Sequence, residues 1–135
     1  MGCDIHPYVE YKRGEVWSCL AANFSLERSY TLFGRIAGIR GDKNALYALR
    51  GLPNDISCSV RDHSHEYNVE TDSFHILVDW HDYGWLTADE FIECMDKEPE
   101  RVAEANNWKI FRGLLLEVQR QYGREACRVV FWFDS

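Results

Sequence analysis

The chain has 135 residues, 46% of them hydrophobic and 27% charged, with a formal net charge of −7. That length fits one domain able to bury roughly two-thirds of the surface its unfolded chain exposes. The acidic balance excludes a duplex-DNA binder that depends on general phosphate neutralisation, and no apolar run approaches the ~20 residues that span a bilayer.

The opening MGCDIHPYVEY lacks the basic and apolar regions of a signal peptide. Position 6 is His where a myristoylation motif has Ser or Thr. A cytoplasmic protein is therefore expected. Cys3, Cys19, Cys58, Cys94 and Cys127 form no CxxC pair, so free, reduced thiols are expected rather than a zinc ribbon or a disulfide framework.

Cys3 to Lys12 alternates, with Asp4, His6, Tyr8 and Glu10 on one face and Ile5, Pro7, Val9 and Tyr11 on the other. A period of two predicts a strand, and Pro7 predicts an edge position or an irregularity. Arg13-Gly14 reads as a hairpin turn into Glu15 to Leu20. Tyr30, Leu32, Phe33, Ile36, Ala37 and Ile39 recur at helical spacing, with Ser29 or Ser25 as cap and Gly38 and Gly41 as stops. A short helical turn is expected at Ala45 to Leu49, then a structured loop from Arg50 to Asp55. Arg61 to Asp72 reads as a loop, Phe74 to Trp80 as a strand, and His81 to Gly84 as a turn. Thr87-Ala88-Asp89-Glu90 is a capping box that opens a helix. After Pro99 a second helix is expected from about Glu100 to Tyr122, its seam Phe111, Leu114, Leu115, Val118 and Tyr122, ended by Gly123. Ala126 to Asp134 predicts a strand central in the sheet. Its last residue, Asp134, gains meaning only if it lies near Asp4.

The expected fold is α+β: one domain over residues 1–135, with an antiparallel sheet covered on one face by amphipathic helices. The sheet should hold the first strand, its hairpin partner, Phe74 to Trp80 and the C-terminal strand.

Asp-x-His occurs twice, as Asp4-x-His6 and Asp79-x-His81, and His63, His65 and His75 stand in the same polar region as the second copy. Residues two apart on a strand point the same way, so Asp4 and His6 can enter one pocket. Imidazole and carboxylate suit a divalent metal such as Zn or Mn, which would lower the pKa of its water to about 7 and supply a nucleophile. The expected catalytic set is Asp4, His6, Asp79 and His81, and the expected metal ligands are Asp4, His6, His63 and His81. Arg40, Arg50 and Arg61 are candidates to clamp a phosphate, and Tyr8 and Trp85 are aromatic candidates for the same ligand.

The opening Met1-Gly2-Cys3-Asp4-Ile5-His6 resembles that of small proteins encoded in phage and bacterial genomes, whose N-terminus often reads MGCDIH before an alternating strand. The likeness continues in Tyr30-x-Leu32-Phe33, Ala37-Gly38-Ile39-Arg40, Arg50 to Ser57, Asp79-x-His81 with Trp85-Leu86-Thr87, and Val130 to Asp134. It implies a phage-like origin and no particular chemistry. In that group a His-Ser pair often precedes Trp-Leu-Thr. Here His81-Asp82-Tyr83-Gly84 stands there, and His-Ser-His lies earlier, at His63 to His65.

Two functions follow as expectations. One is a small metal-dependent hydrolase of a phosphate ester or nucleotide. The other is a non-catalytic phage protein in the host cytoplasm that sequesters a small nucleotide signal or masks a host protein. A metal-free acid–base enzyme using a His paired with an Asp is a further reading. The partner is a small anionic ligand rather than duplex nucleic acid or membrane, and an oligomer is compatible with either function.

Overall fold

The structure is a computed structural model and describes residues 2–77 and 80–134. Two long strands form its centre. β1 (Asp4–Arg13) pairs antiparallel with β6 (Cys127–Asp134) along nearly its whole length. β2 (Val16–Ala21) flanks β1 and β5 (His81–Thr87) flanks β6, giving the order β2-β1-β6-β5. β6 is buried from Cys127 to Phe133, as its Val, Phe and Trp residues predict for a central strand. Pro7 fits because β2 pairs only from Val9 onward. Beside Pro7 the chain returns as a loop, and the Pro7 carbonyl accepts from Phe24 N at 3.0 Å.

The alternation of β1 separates two packed faces. Ile5 and Val9 join the larger core with Phe131 and Phe133 of β6. Helices α1 (Tyr30–Ala37), α3 (Ala88–Asp96), α4 (Pro99–Ala103) and α5 (Asn106–Tyr122) supply most of the rest of that core. Ser29 caps α1, and Gly38 closes it in the left-handed conformation at φ 64°. Both hydrogen bonds of the Thr87–Glu90 capping box are present at the start of α3. The second face carries Tyr8, Val130 and Trp132 under α2 (Cys58–Ser64), with Val60 of α2 fully buried there. The α+β class and the antiparallel sheet are as the sequence predicts. The helices do cover one face, and a smaller cluster covers the other.

Five local expectations change. Within the stretch Phe74 to Trp80, the described residues do not enter the main sheet. Ser73–Ile76 (β4) pairs instead with His65–Asn68 (β3) in a separate ribbon. The turn between them explains why: Asn68 Oδ1 accepts from Glu70 N at 2.9 Å and Thr71 N at 3.3 Å, folding the chain back locally. So Arg61–Asp72 is not a loop, since it holds the end of α2, β3 and a turn. His81 to Gly84 is not a turn but the start of β5. Ala45 to Leu49 forms no helix; Leu46 N is tied to the Arg35 carbonyl at the end of α1 at 3.1 Å. The long helix after Pro99 breaks into α4 and α5 at Glu104 and Ala105. There the Glu27 carboxylate accepts from Asn107 N at 3.0 Å, and the Glu27 carbonyl accepts from Trp108 Nε1 at 2.8 Å.

Candidate functional site

In an antiparallel pair, directly opposed residues project from the same face. The second face of the central pair therefore carries four rungs: Asp4 opposite Asp134, His6 opposite Trp132, Tyr8 opposite Val130 and Glu10 opposite Arg128. One end is imidazole and carboxylate, the middle is aromatic, and the other end is an ion pair.

At the first end Asp134 does lie beside Asp4, whose backbone N–H donates to Asp134 Oδ1 at 3.2 Å. Asp134 Oδ2 sits 2.7 Å from His6 Nε2. His6 Nδ1 lies 2.9 Å from Asn23 Oδ1, and the ring packs on Trp80 at 4.9 Å between centroids. Asn23 holds this position at φ 48°, a left-handed conformation that Asn tolerates better than most residues. Both oxygens of Asp4 accept from Arg28, each at 3.0 Å. The Arg28 hydrogen bond, helped by its charge, holds the Asp4 carboxyl below the ordinary carboxylate range.

His81 does not join this group. It is opposite Phe133, so it projects from the helix face and stacks on that ring at 6.3 Å. The cause is a bulge: the four residues from His81 to Gly84 oppose three from Phe133 to Phe131, with Asp82 in the left-handed conformation at φ 53°. His81 Nδ1 lies 2.6 Å from Asp82 Oδ2. His63 sits on α2, its Nδ1 donating to the Ser59 carbonyl at 2.7 Å and its ring 5.4 Å from Tyr8. Asp79 lies outside the described residues. Among the described residues no group of three or more His, Cys, Asp or Glu side chains is arranged to hold a metal ion. Asp4, His6, His63 and His81, expected to share one, are divided by the bulge and by α2. Both nitrogens of His6 are engaged, by Asn23 and Asp134, so neither is open to a metal ion in this arrangement.

The bulge also sets Trp85. Without it, His81 and Trp85 would share a face. With it, Trp85 opposes Val130 and belongs to the second face. There it lines a groove of about 710 Å³ at the opposite end of the sheet. Lys12 of β1 and Arg128 of β6 lie on the inner strands, while Trp17 of β2 and Trp85 of β5 lie on the outer two. Three strand spacings separate those outer strands, roughly 14 Å. The loop residues Arg50, Leu52 and Asp55 also line it.

Each tryptophan carries an arginine. The Arg128 guanidinium lies 3.9 Å from the Trp17 ring centroid, and that of Arg50 lies 4.7 Å from Trp85. Each guanidinium is held by carboxylates. Arg50 binds Glu90 through two bonds of 2.6 and 2.7 Å, and chiefly this pairing draws the Glu90 carboxyl down to about 2. Arg128 Nε donates to the fully buried Glu10 at 2.7 Å and Nη1 donates to Asp55 at 2.9 Å. Desolvation pushes the Asp55 carboxyl up, but Arg128 outweighs it and leaves it below the ordinary value.

Of the ligand candidates, the structure brings Arg50 and Trp85 together and does not place Arg40, Arg61 or Tyr8 in the lining of that groove. Arg40 lies over the Tyr30 ring at 4.4 Å, and Arg61 lies 5.9 Å from Phe74. Tyr8 is buried and stacked on Trp132 at 4.6 Å, and desolvation pushes its phenol up to about 12. Lys12, Trp17 and Arg128 were missed. The available signal was Arg128 itself: a charge inside the apolar run Cys127 to Phe133 requires a buried partner, and Glu10 stood on the polar face of β1.

All five cysteines are free thiols. Burial pushes Cys94 up to about 12 and Cys19 and Cys127 up to about 11, which leaves them weak nucleophiles. No described helix is long and apolar enough to cross a membrane. Compared with known proteins, the chain matches no family model, no curated protein and no solved structure.

Proposed function

We propose that the chain binds a small nucleotide-like ligand, a planar ring bearing an anionic group, in the groove between Trp17 and Trp85. The observation that carries this reading is the pair of arginine-on-tryptophan stacks lining one groove. Indole and guanidinium planes are both surfaces on which bases stack, and carboxylates hold both guanidiniums in place before a ligand arrives. The volume of about 710 Å³ falls in the range of small-molecule sites. A sequestering role of this kind also suits the phage-like origin that the N-terminal motif implies, since it needs no catalytic set.

Isothermal titration with the four nucleoside monophosphates tests the reading. One or more should bind the unmodified protein, and Trp85→Leu should weaken binding about tenfold or more, since one base stack is worth about 1–3 kcal/mol. No binding by any of the four, or binding indifferent to Trp85→Leu, overturns it.

The second reading is acid–base catalysis by His6 and Asp134, favoured by their 2.7 Å hydrogen bond at a partly exposed position. It requires a ligand to displace Asn23 from His6 Nδ1. Nucleotide or phosphate-ester turnover that survives chelation and is lost in His6→Gln would support it; turnover unchanged in His6→Gln would remove it.

A further inference from the structure

We infer that the groove selects a ligand with a single phosphate over its polyphosphate counterpart, with Lys12 as the phosphate contact and Glu125 as the excluding charge. This inference rests on the nucleotide-binding reading and adds the charge of the ligand to it.

The groove is not a general anion trap. Three cations line it, Lys12, Arg50 and Arg128. Against them stand four carboxylates: Asp55 and Glu125 in its lining, Glu90 holding Arg50, and Glu10 holding Arg128. Arg50 presents its two terminal nitrogens to Glu90 in a bidentate pair, the strongest geometry available to a guanidinium. Arg128 is divided between Glu10, the Asp55 carboxylate and the Asp55 carbonyl. The charge of each guanidinium is already matched by a carboxylate before a ligand arrives, and Glu90, with its pKa near 2, stays ionised at neutral pH.

Lys12 is different. Among the described residues its ammonium forms no ion pair within 4.0 Å, and it lies 5.9 Å from the Trp17 ring centroid. It projects from the same face of β1 as Glu10 and stands opposite Trp17 in the β1–β2 register. Its charge is therefore available beside one of the two stacking surfaces. Glu125, exposed on the turn before β6, lines the same groove and the adjoining cleft, which Lys12 also lines. A ring held on the tryptophans can place one phosphate at Lys12. Each added phosphate meets no further uncompensated cation in the lining and faces Glu125 and Asp55. One phosphate matches the one cation left without a carboxylate, and the three or four negative charges of a triphosphate do not.

The test is isothermal titration at low ionic strength with the nucleoside, monophosphate and triphosphate of each of the four bases, without added divalent metal. The proteins are the unmodified chain, Lys12→Met, Lys12→Arg and Glu125→Gln, each checked for an unchanged circular dichroism spectrum. The monophosphate should bind about tenfold more tightly than either its nucleoside or its triphosphate. Lys12→Met should bring the monophosphate down to the level of the nucleoside and leave the nucleoside unchanged. Lys12→Arg should restore most of the difference, and Glu125→Gln should narrow the gap for the triphosphate. Added salt should erase the advantage of the monophosphate, as for a partly exposed charge pair. Triphosphate binding as tight as monophosphate binding overturns the inference and leaves the groove reading standing. Equal losses for nucleoside and monophosphate in Lys12→Met do the same. Absence of binding by every ligand overturns both.

Discussion

The two ends of the β1–β6 pair carry charged rungs of the same face, six residues of chain apart at most, yet they are built differently. Glu10 and Arg128 are buried, their ion pair surrounded by Ser57 N, Asp55 and Trp17. His6 and Asp134 are partly exposed, with side chains 18% and 32% accessible. The first pair is fixed in place by every group around it and so can shape a groove. The second rests partly on Asn23, an exposed residue. A polar group on a sheet face is thus structural or chemically available according to how many of its bonds the fold has already filled.

The largest expected effect breaks the buried end. Arg128→Met should cost about 3–5 kcal/mol of stability in urea unfolding, because it leaves Glu10 charged and buried without a partner. Glu10→Leu combined with Arg128→Met should recover most of that loss, since an apolar pair replaces the ion pair. A loss no greater than that of an exposed ion pair would mean that the two ends do not differ as described. Next comes the bulge that divides His81 from Trp85. A Cβ added at Gly84 would lie 2.7 Å from Phe131 Cζ and 2.9 Å from Leu49. Gly84→Ala should therefore cost about 1–3 kcal/mol through overpacking, and a neutral result would contradict the pairing of Gly84 with Phe131.

Acid titration sharpens the comparison at the groove. Glu90 ionises near 2 in the folded chain against an ordinary 4.5. A depressed carboxyl stabilises the fold above the unfolded value and loses that contribution as pH falls through the folded one. Glu90→Gln should thus be less stable than the unmodified chain at pH 7, by about 1–2 kcal/mol after solvent screening. The two curves should converge between about pH 4.5 and 2; parallel curves would show that Arg50 does not hold Glu90. The smallest effect belongs to the open end, where His6→Ala or Asp134→Asn should cost about 1 kcal/mol or less.

The sequence made the frame legible where one local rule acts alone. The alternation of β1, the Thr87–Glu90 box and the apolar run of β6 each specify an element without reference to distant residues. It failed where a local rule competes with a distant one. Phe74 to Ile76 is apolar enough for the main sheet, but the Asn68 turn pairs it with His65 to Asn68 first. Asp82-Tyr83-Gly84 has the composition of a turn and is a bulged strand, because Gly84 lets the Phe131 ring approach. That single extra residue reverses the face of His81 while Trp85 stays with the groove, so spacing alone could not say which candidates meet. Arg50 was a candidate in the sequence because it stands beside Gly51, which lets backbone approach a ligand. Lys12 and Trp17 look like ordinary hairpin residues, and only the register places them beside Arg128.

The proposed ligand site lies at the Arg128 end of the sheet. Its most direct test is a ¹H–¹⁵N spectrum of the tryptophan indoles during titration with a nucleoside monophosphate, each indole assigned by substitution. The account predicts shifts at Trp17 and Trp85, with Trp80 and Trp108 unmoved. Shifts at Trp80, which packs on His6, with Trp17 and Trp85 silent would contradict it and move the site to the other end of the sheet.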